Sequence, residues 1–563
     1  MAKKTKKDKA AEIEKSIKEL DAQEEERQAK ISEIIKAYAD LASELGYVSM
    51  NDLIDAGYSK DIITYYFRNL KRLNMAAREE YPESFYDTYI DDLITKENEE
   101  RLKDVLSEYD RFIITTAVTG CQVDVDLLAS MKSYCDDMGA HILVLVASDP
   151  AHNKFAPGAD YGTIDRALAE DPDITIVTND VALNSNLMIS TIKLSAKQMD
   201  PAASMLRMAQ DKGSMIFASP KQRLKPAPVS NEKMPHFLMT TGAITHSDYT
   251  SNNYMSSRTA VIADHDHVMG GLIVEVKDDE HYHYRQIQRG QNGSIIDLCW
   301  QYNPDGSFEE QEAWLIMGDL HSGSTDPQAL AACKQMTEEL WVNKLVIHDG
   351  FDGASINHHE RNNVINRAIR AKEGNHDLFK ELTWYAASLD IMANWCGIDE
   401  IVVVKSNHDE FLARYLEAGY YVKDPQNHEV ALDLAKAMIK GKDPLQFGIE
   451  HKDIGGLHNK KKVRWLERDE DFKRGGVQLG AHGDKGNNGA RGSLRAMEQA
   501  YGQSVSGHSH SAEILRGAFQ VGTTSKLKLG YNKGGSSWSH TSCLIYPDGR
   551  RQLINIIDGV WRG

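Results

Sequence analysis

Aspartate, histidine and asparagine, the residue types that offer carboxylate, imidazole and amide oxygen to a divalent cation, gather in five short clusters of the C-terminal half. These are Gly318-Asp319-Leu320-His321, His348-Asp349-Gly350-Phe351-Asp352, Asn407-His408-Asp409, His482-Gly483-Asp484 and Gly507-His508-Ser509-His510. Borderline-hard ions such as Mn²⁺, Fe²⁺ or Zn²⁺ accept these donors, and two of them a few ångströms apart can hold both oxygens of a phosphoryl displacement. Phosphoester hydrolysis is the chemistry this donor set predicts.

Ligands so far apart in sequence meet only if the elements before them deliver them to one place. Each cluster follows a strand-like run: Ala313–Met317, Leu345–Ile347, Ile401–Val404, Val477–Leu479 and Gln503–Val505. Loops at the C-terminal ends of strands in an open α/β sheet converge on one crevice. Helical patterns at Leu330–Leu340 and Leu378–Trp395 supply covering layers. One D-x-H or H-x-H alone is usually a solvated turn, whereas five such clusters in order are hard to explain as scaffold.

The order and identity of the clusters resemble the calcineurin-like metallophosphoesterases, whose pattern runs D-x-H, G-D-x-x-D-R, G-N-H-[DE], an isolated His and then G-H-x-H. The resemblance covers residues 311–563 and implies an α/β fold, a metallophosphoesterase sandwich of two sheets flanked by helices. It puts Asp319, His321 and His510 on a first metal, Asn407, His482 and His508 on a second, and Asp349 between them. It implies a water activated by the two ions, with His408 as the acid that protonates the leaving oxygen. Asp352 would orient that imidazole, raise its pKa and keep it protonated. Mn²⁺ is the expected metal, with Mg²⁺, Fe²⁺ and Zn²⁺ as alternatives.

Three positions depart from the pattern. His348 replaces the glycine before Asp349, Ser406 replaces the glycine before Asn407, and Gly353 stands where the protein phosphatases carry a phosphate-gripping arginine. The last argues against a protein phosphatase. A substitute cation is sought in the glycine-rich run His482–Ser493, where Arg491 is the candidate phosphate clamp and Lys485 the second. The alternative is a plain loop whose glycines only make turns.

The remaining sequence sets the context. At 563 residues and 41% hydrophobic, the chain can build several cores, with expected divisions at 1–46 (a charged helix), 47–108 (helical), 109–310 (an α/β accessory domain) and 311–563 (the catalytic domain). Its formal charge of −18 gives no global attraction to nucleic acid, so a polyanion must be drawn locally, by the metals or by Lys460, Lys461, Lys462, Arg464, Lys526 and Lys528. Cys121, Cys135, Cys299, Cys333, Cys396 and Cys543 form no C-x-x-C pair and read as reduced thiols. Lys3, Lys4, Lys6, Lys7 and Lys9 precede no apolar signal core, and no run is long enough to cross a bilayer, so a cytosolic setting without membrane partners is expected.

Ile13, Ile17, Leu20, Ile31, Ile34, Ile35, Tyr38, Leu41 and Leu45 place one apolar stripe on a long helix, interrupted by Asp21–Arg27, and suggest self-association into a homo-oligomer. The segment Ser49–Leu70 reads as two short helices around Gly57, either a helix-turn-helix with Lys60, Arg68 and Lys71 facing DNA or a hairpin used for packing. Residues 110 to 305 alternate strand-like runs (Phe112–Thr116, Ile142–Val146, Ile174–Val177, Leu187–Ile192, Ala260–Ala263, Leu272–Val276) with helices such as Val125–Asp137. Lys221–Pro228, with two prolines, reads as a linker, and the Asp264–His267 and His281–Tyr284 clusters read as non-metal.

From its lysine-rich start through His482–Ser493 and Gly534-Gly-Ser-Ser-Trp538, the chain is similar to a phage branch of these enzymes, the pre-early host-DNA-degrading deoxyribonucleases of T-odd siphophages. That similarity implies a nuclease acting on DNA in the cytoplasm of an infected bacterium, alongside other phage early proteins. Two further readings stay open: a phosphomonoesterase or cyclic nucleotide phosphodiesterase, and a non-catalytic DNA-binding or assembly protein with a vestigial metal site.

Overall fold

A computed structural model describes all residues except 1–5, 46–47, 49, 69, 86, 148–161, 231–233, 248–256, 359–362 and 530–531. The chain forms two compact units, one of residues 1–92, 120–122 and 161–171, the other of 93–119, 123–160 and 172–563.

In the smaller unit a long helix runs from Lys6 to Leu45, but its described buried apolar residues all lie in the C-terminal part: Ile34, Ile35, Tyr38, Ala39 and Ala42. Leu20 is 64% exposed, because the charged stretch Asp21–Arg27 leaves nothing beside it to build a core. The buried stripe packs on Leu53, Ile63, Phe67, Leu73 and Ala77 from the helices Met50–Asp55, Lys60–Phe67 and Leu70–Glu80. Ser59 caps the middle helix by accepting from the Ile62 N–H at 3.3 Å, and Arg68, at φ 65°, ends it. Lys60 and Arg68 are exposed. Lys3, Lys4 and Ser49 lie outside the described residues, as do the side chains of Lys6, Lys7, Lys9, Ile13, Ile17 and Lys71.

The larger unit is a mixed α/β structure with three large sheets. A five-stranded sheet runs in the order Tyr282–Gln288, Gly270–Val276, Arg111–Val118, His141–Ala147, Ile174–Ile176. A six-stranded sheet runs Val463–Trp465, Glu400–Val403, Val342–Ile347, Ala313–Ile316, Thr541–Ile545, Arg551–Asn555, with its first four strands parallel. A ten-stranded sheet takes Val181–Asn184, Leu187–Ser190, Ser214–Phe217, Arg223–Ala227 and His236–Thr240 from one stretch of chain and Lys473–Arg474, Val477–Gln478, Ser504–Ser506, Glu513–Leu515 and Ala518–Gln520 from another. Strands from both sides of residue 310 therefore share one sheet.

The main core lies on the six-stranded sheet. Leu315, Leu345, Ile347, Ile401 and Val403 pack against Leu378, Leu382, Tyr385, Ala386, Leu389 and Met392 of the helix Leu378–Ala393. Those helical residues recur every three or four positions, which puts them on one face, and Asp377 caps the first turn by accepting from the Lys380 N–H at 3.0 Å.

Two segments differ from the reading of the sequence. Ala260–Ala263, expected as a strand, lies inside the helix Ser257–His265, since so short an apolar run carries no decisive period. Lys221–Pro228, expected as an exposed linker, contains the buried strand Arg223–Ala227. Two of its charges are buried because they have partners: Lys221 meets Asp266 at 3.2 Å, and Arg223 meets Asp200 at 3.1 Å and Glu513 at 2.9 Å. Pairing to Glu513–Leu515 reaches only Arg223 and Leu224, so Pro226 owes no N–H to that neighbour.

Arg285 ties the five-stranded sheet to the small strand Ile295–Asp297. Only 1% exposed, it donates to Glu275 at 2.8 and 3.0 Å and to Asp297 at 2.6 and 2.9 Å. Burial alone would raise the Glu275 carboxyl, but Arg285 outweighs it and holds the group at about 2. Arg285→Ala should leave buried Asp297 without its cation and Glu275 with Arg111 alone, 3.1 Å away, and cost about 3–5 kcal/mol, read as a lower denaturant midpoint. A midpoint within error of the wild type would show that the network is not stabilising.

Candidate metal centre

The five clusters lie at the ends of strands from two sheets. Asp319 and His321 follow Ala313–Ile316, Asp349 follows Val342–Ile347, and Asn407 and His408 follow Glu400–Val403 in the six-stranded sheet. His482 follows Val477–Gln478, and His508 and His510 follow Ser504–Ser506 in the ten-stranded sheet. Backbone bonds continue past the strand ends, with Leu320 N–H donating to His348 O at 3.0 Å, His321 to Asp349 at 2.8 Å and Gly507 to His482 at 2.9 Å. Close approach requires glycine at several of these positions, Gly350 and Gly507 among them. A Cβ on Gly350 would lie 2.2 Å from the Tyr385 hydroxyl, and one on Gly507 would lie 2.2 Å from Asp319 Oδ1.

The structure gathers Asp319, His321, Asp349 and His510 into one group of donor atoms, and Asp349, His482 and His508 into a second, each spanning no more than 4.8 Å. Asp349 belongs to both. Its Oδ2 lies 3.2 Å from His482 Nε2 and 3.8 Å from His321 Nε2. His510 Nε2 lies 3.2 Å from Asp319 Oδ2 and 3.0 Å from His321 Nε2. His321, Asp349, His508 and His510 all adopt positive φ, between 43° and 79°. Such strain in non-glycine residues persists only where surrounding structure imposes it, and it clusters at functional sites.

The donors fit divalent cations. Asp319 Oδ1, Asp349 Oδ1 and Asn407 Oδ1 are buried and make no hydrogen bond. Buried polar atoms left unpaired are costly, and a cation is the partner that carboxylate, amide oxygen and imidazole together suit. In the metal-free protein, protons stand in for that charge. Burial disfavours imidazolium, yet the Asp352 hydrogen bond and Asp349 outweigh it at His321, as Asp349 does at His482, and both are raised to about 9. Burial would raise Asp349, but His482, His408 and His321 hold it well below the usual carboxylate range.

Metal uptake should therefore displace protons. Below pH about 9 the two imidazoles hold them, so apparent affinity should fall as pH drops, by about tenfold per unit for each proton displaced. Calorimetric titration in buffers of different ionisation enthalpy measures this. Uptake without proton release would contradict it.

His408 sits at the edge of this centre, its ring 4.8 Å from that of His321, and begins the helix Asp409–Glu417. The expected carboxylate contact from Asp352 is not the one it makes. Asp352 Oδ1 lies 3.1 Å from His321 Nδ1 but 4.0 Å from His408 Nδ1, and His408 Nδ1 instead donates to the Asp352 backbone carbonyl at 2.7 Å. Asp352 thus orients a metal-type donor, the role a carboxylate takes behind a ligating histidine. The His408 pKa is lowered rather than raised, by burial first, with Asp349 opposing and His321 adding to the fall.

The glycine-rich run forms a tight loop. Gly486 N–H donates to Ala490 O at 2.7 Å and Gly492 N–H to Asp484 O at 2.8 Å, so these amides are already engaged. Arg491 is exposed, and Lys485 pairs with Glu410 at 3.2 Å. Two nearby residues escaped the sequence reading. Arg468 clamps Asp484, and the buried His348 brings its Nδ1 to 3.4 Å from His482 Nδ1. The departure of His348 from the expected glycine was the only signal. Among the basic positions, Lys462 caps the Ala393 and Ile398 carbonyls at 2.8 Å and Arg464 pairs with Glu470 at 2.8 Å, so neither charge is spare. The earlier histidine clusters are engaged in local contacts: His267 Nε2 bonds Thr245 O at 2.9 Å, Asp266 pairs with Lys221, and His281 Nδ1 meets Asp278 at 2.8 Å.

No helix among the described residues is long and apolar enough to cross a membrane. No family model matches the chain. Vps29 of Chaetomium thermophilum is a solved structure with a TM-score of 0.21 and 12% identity, aligned over 36% of this chain and 96% of its own. The chain is 28% identical over 474 residues to Protein A1 of Escherichia phage T5, covering 80% of this chain and 82% of the phage protein, and is thereby similar to a phage protein along most of its length.

Proposed function

We propose that this protein is a phage-encoded, metal-dependent phosphodiesterase that cleaves DNA through a calcineurin-like metallophosphoesterase centre. The observation that carries the reading is Asp349, one buried carboxylate shared by two groups of metal-type donors. Asp319, His321 and His510 would hold one ion and Asn407, His482 and His508 the other. Bound there, two divalent cations would supply positive charge to a phosphoryl group and acidify water at neutral pH.

The protein's own groups do the rest. Asp352 keeps His321 Nε2 turned toward Asp349. The Asp352 carbonyl fixes the Nδ1–H of His408, which leaves Nε2 as the nitrogen that protonates the departing sugar oxygen. Arg491 is the candidate cation for the phosphate, Lys485 being engaged by Glu410. Lys60, Arg68 and Lys71 are proposed as backbone contacts, and binding through phosphates alone would be tolerant of sequence. The similarity to a phage protein supports a phage role, in an infected bacterium, and the choice of DNA as substrate rests on the site.

The test is to incubate purified Mn²⁺-loaded protein with linear and closed-circular DNA and examine the product ends, with a chelated control. Cleavage that depends on metal is expected. Intact DNA together with turnover of a nitrophenyl phosphate monoester would replace this reading with a phosphomonoesterase.

A further inference from the structure

Beside the metal-type donors lies a cavity of about 440 Å³ whose wall includes Gly483, Ser493, His508, Glu513, Ser537 and Trp538. We propose, resting on the phosphodiesterase reading above, that it holds the nucleoside next to the scissile phosphate as a single unpaired unit, with its base against Trp538.

Position comes first. His508 is a donor of the second group, and the Trp538 ring lies 4.2 Å from that of His510, a donor of the first. Whatever fills the cavity is therefore adjacent to a phosphate held at the centre. Size comes second. The volume falls within the range of about 300–1,000 Å³ that accepts one small organic ligand, and no double helix, whose major groove alone is about 12 Å wide, can enter it.

Chemistry comes third. Ser493, Ser509, Ser511, Ser536 and Ser537 give the wall hydroxyls that suit a sugar and base edges. Ser511 and Ser537 are already 2.8 Å apart and fix one side. Glu513 contributes a carboxylate, paired with Arg223 at 2.9 Å, which can accept from a base amino group or a sugar hydroxyl, and Lys533 adds a cation to the same wall. Trp538 adds the aromatic surface on which a base stacks without regard to sequence. Hydroxyls, a carboxylate acceptor and one indole together suit a sugar and a base, with Lys533 beside them.

The test compares Mn²⁺-loaded protein on bis(p-nitrophenyl) phosphate with the p-nitrophenyl esters of thymidine 5′-phosphate and thymidine 3′-phosphate. At least one thymidine ester should show a KM about tenfold below that of the plain diester. Trp538→Ala should abolish the difference. Because Trp538 touches His510, a second variant, Ser537→Leu, adds bulk at a wall residue that is none of the metal-type donors, and it should abolish the difference too. Equal KM for all three esters in the wild type, or a preference that survives both variants, would overturn the nucleoside site while leaving the phosphodiesterase reading intact. Failure to hydrolyse any of the three esters or DNA would remove that reading, and this proposal with it.

Discussion

Asp349→Ala should leave the protein without bound divalent metal and without measurable turnover. The Asp349 carboxylate faces His482 Nε2 at 3.2 Å and His321 Nε2 at 3.8 Å, and its Oδ1 is buried with no partner. Removing it takes a charged donor from both groups at once, so two ions lose affinity for one substitution. Two-ion stabilisation of a phosphoryl transition state is worth several kcal/mol, and a rate loss of at least about 10³-fold is expected. Elemental analysis after dialysis gives the metal content, and circular dichroism shows whether the fold survives. Asp349→Asn serves as the isosteric control, which should also empty the site because the amide carries no charge. A folded Asp349→Ala protein that kept two equivalents of metal would show that this carboxylate is not shared.

His408→Ala should give the opposite pattern, with metal content unchanged and chemistry slowed. His408 belongs to neither of the two groups that share Asp349, standing instead with His321 and Asp352 in a third, and its fixed contact is the Asp352 carbonyl. A general acid contributes about 10²- to 10⁴-fold, and the loss should appear in kcat more than in KM. The pH profile adds a sign. Burial lowers the His408 pKa from its ordinary value, so the protonated, proton-donating form is present below that depressed pKa and disappears as pH rises through it. Wild-type kcat should therefore decline on that limb, and the alanine variant should lose the decline along with the rate. If the His408 variant lost metal instead, its role would be that of a ligand.

The donor residues were legible because each stands in a short motif directly after an apolar run, and the chain order of strands and helices follows from the same periodicity. Ala313–Ile316, Val342–Ile347, Glu400–Val403 and the helix Leu378–Ala393 all lie where the pattern put them. Legibility failed where partners are distant in sequence. The Lys221–Pro228 segment looked exposed because the partners of Lys221 and Arg223, namely Asp266, Asp200 and Glu513, are connected to it by no local pattern. Asp352 was assigned to His408, yet a shift from side-chain to backbone oxygen gives its carboxylate to His321. His348 looked like a tolerated replacement of glycine, and only the approach of two sheets puts it against His482.

By itself, the sequence determined which atoms are available for chemistry: the type of each donor, its place after a strand and the polarity of what surrounds it. These are local properties, set by covalent identity and by the repeat of the backbone. The tertiary structure alone decided which histidine the Asp352 carboxylate meets, which nitrogen of each imidazole faces inward and what cavity lies beside them. Those depend on distances of a few ångströms between strands hundreds of residues apart, and packing rather than order along the chain fixes such distances.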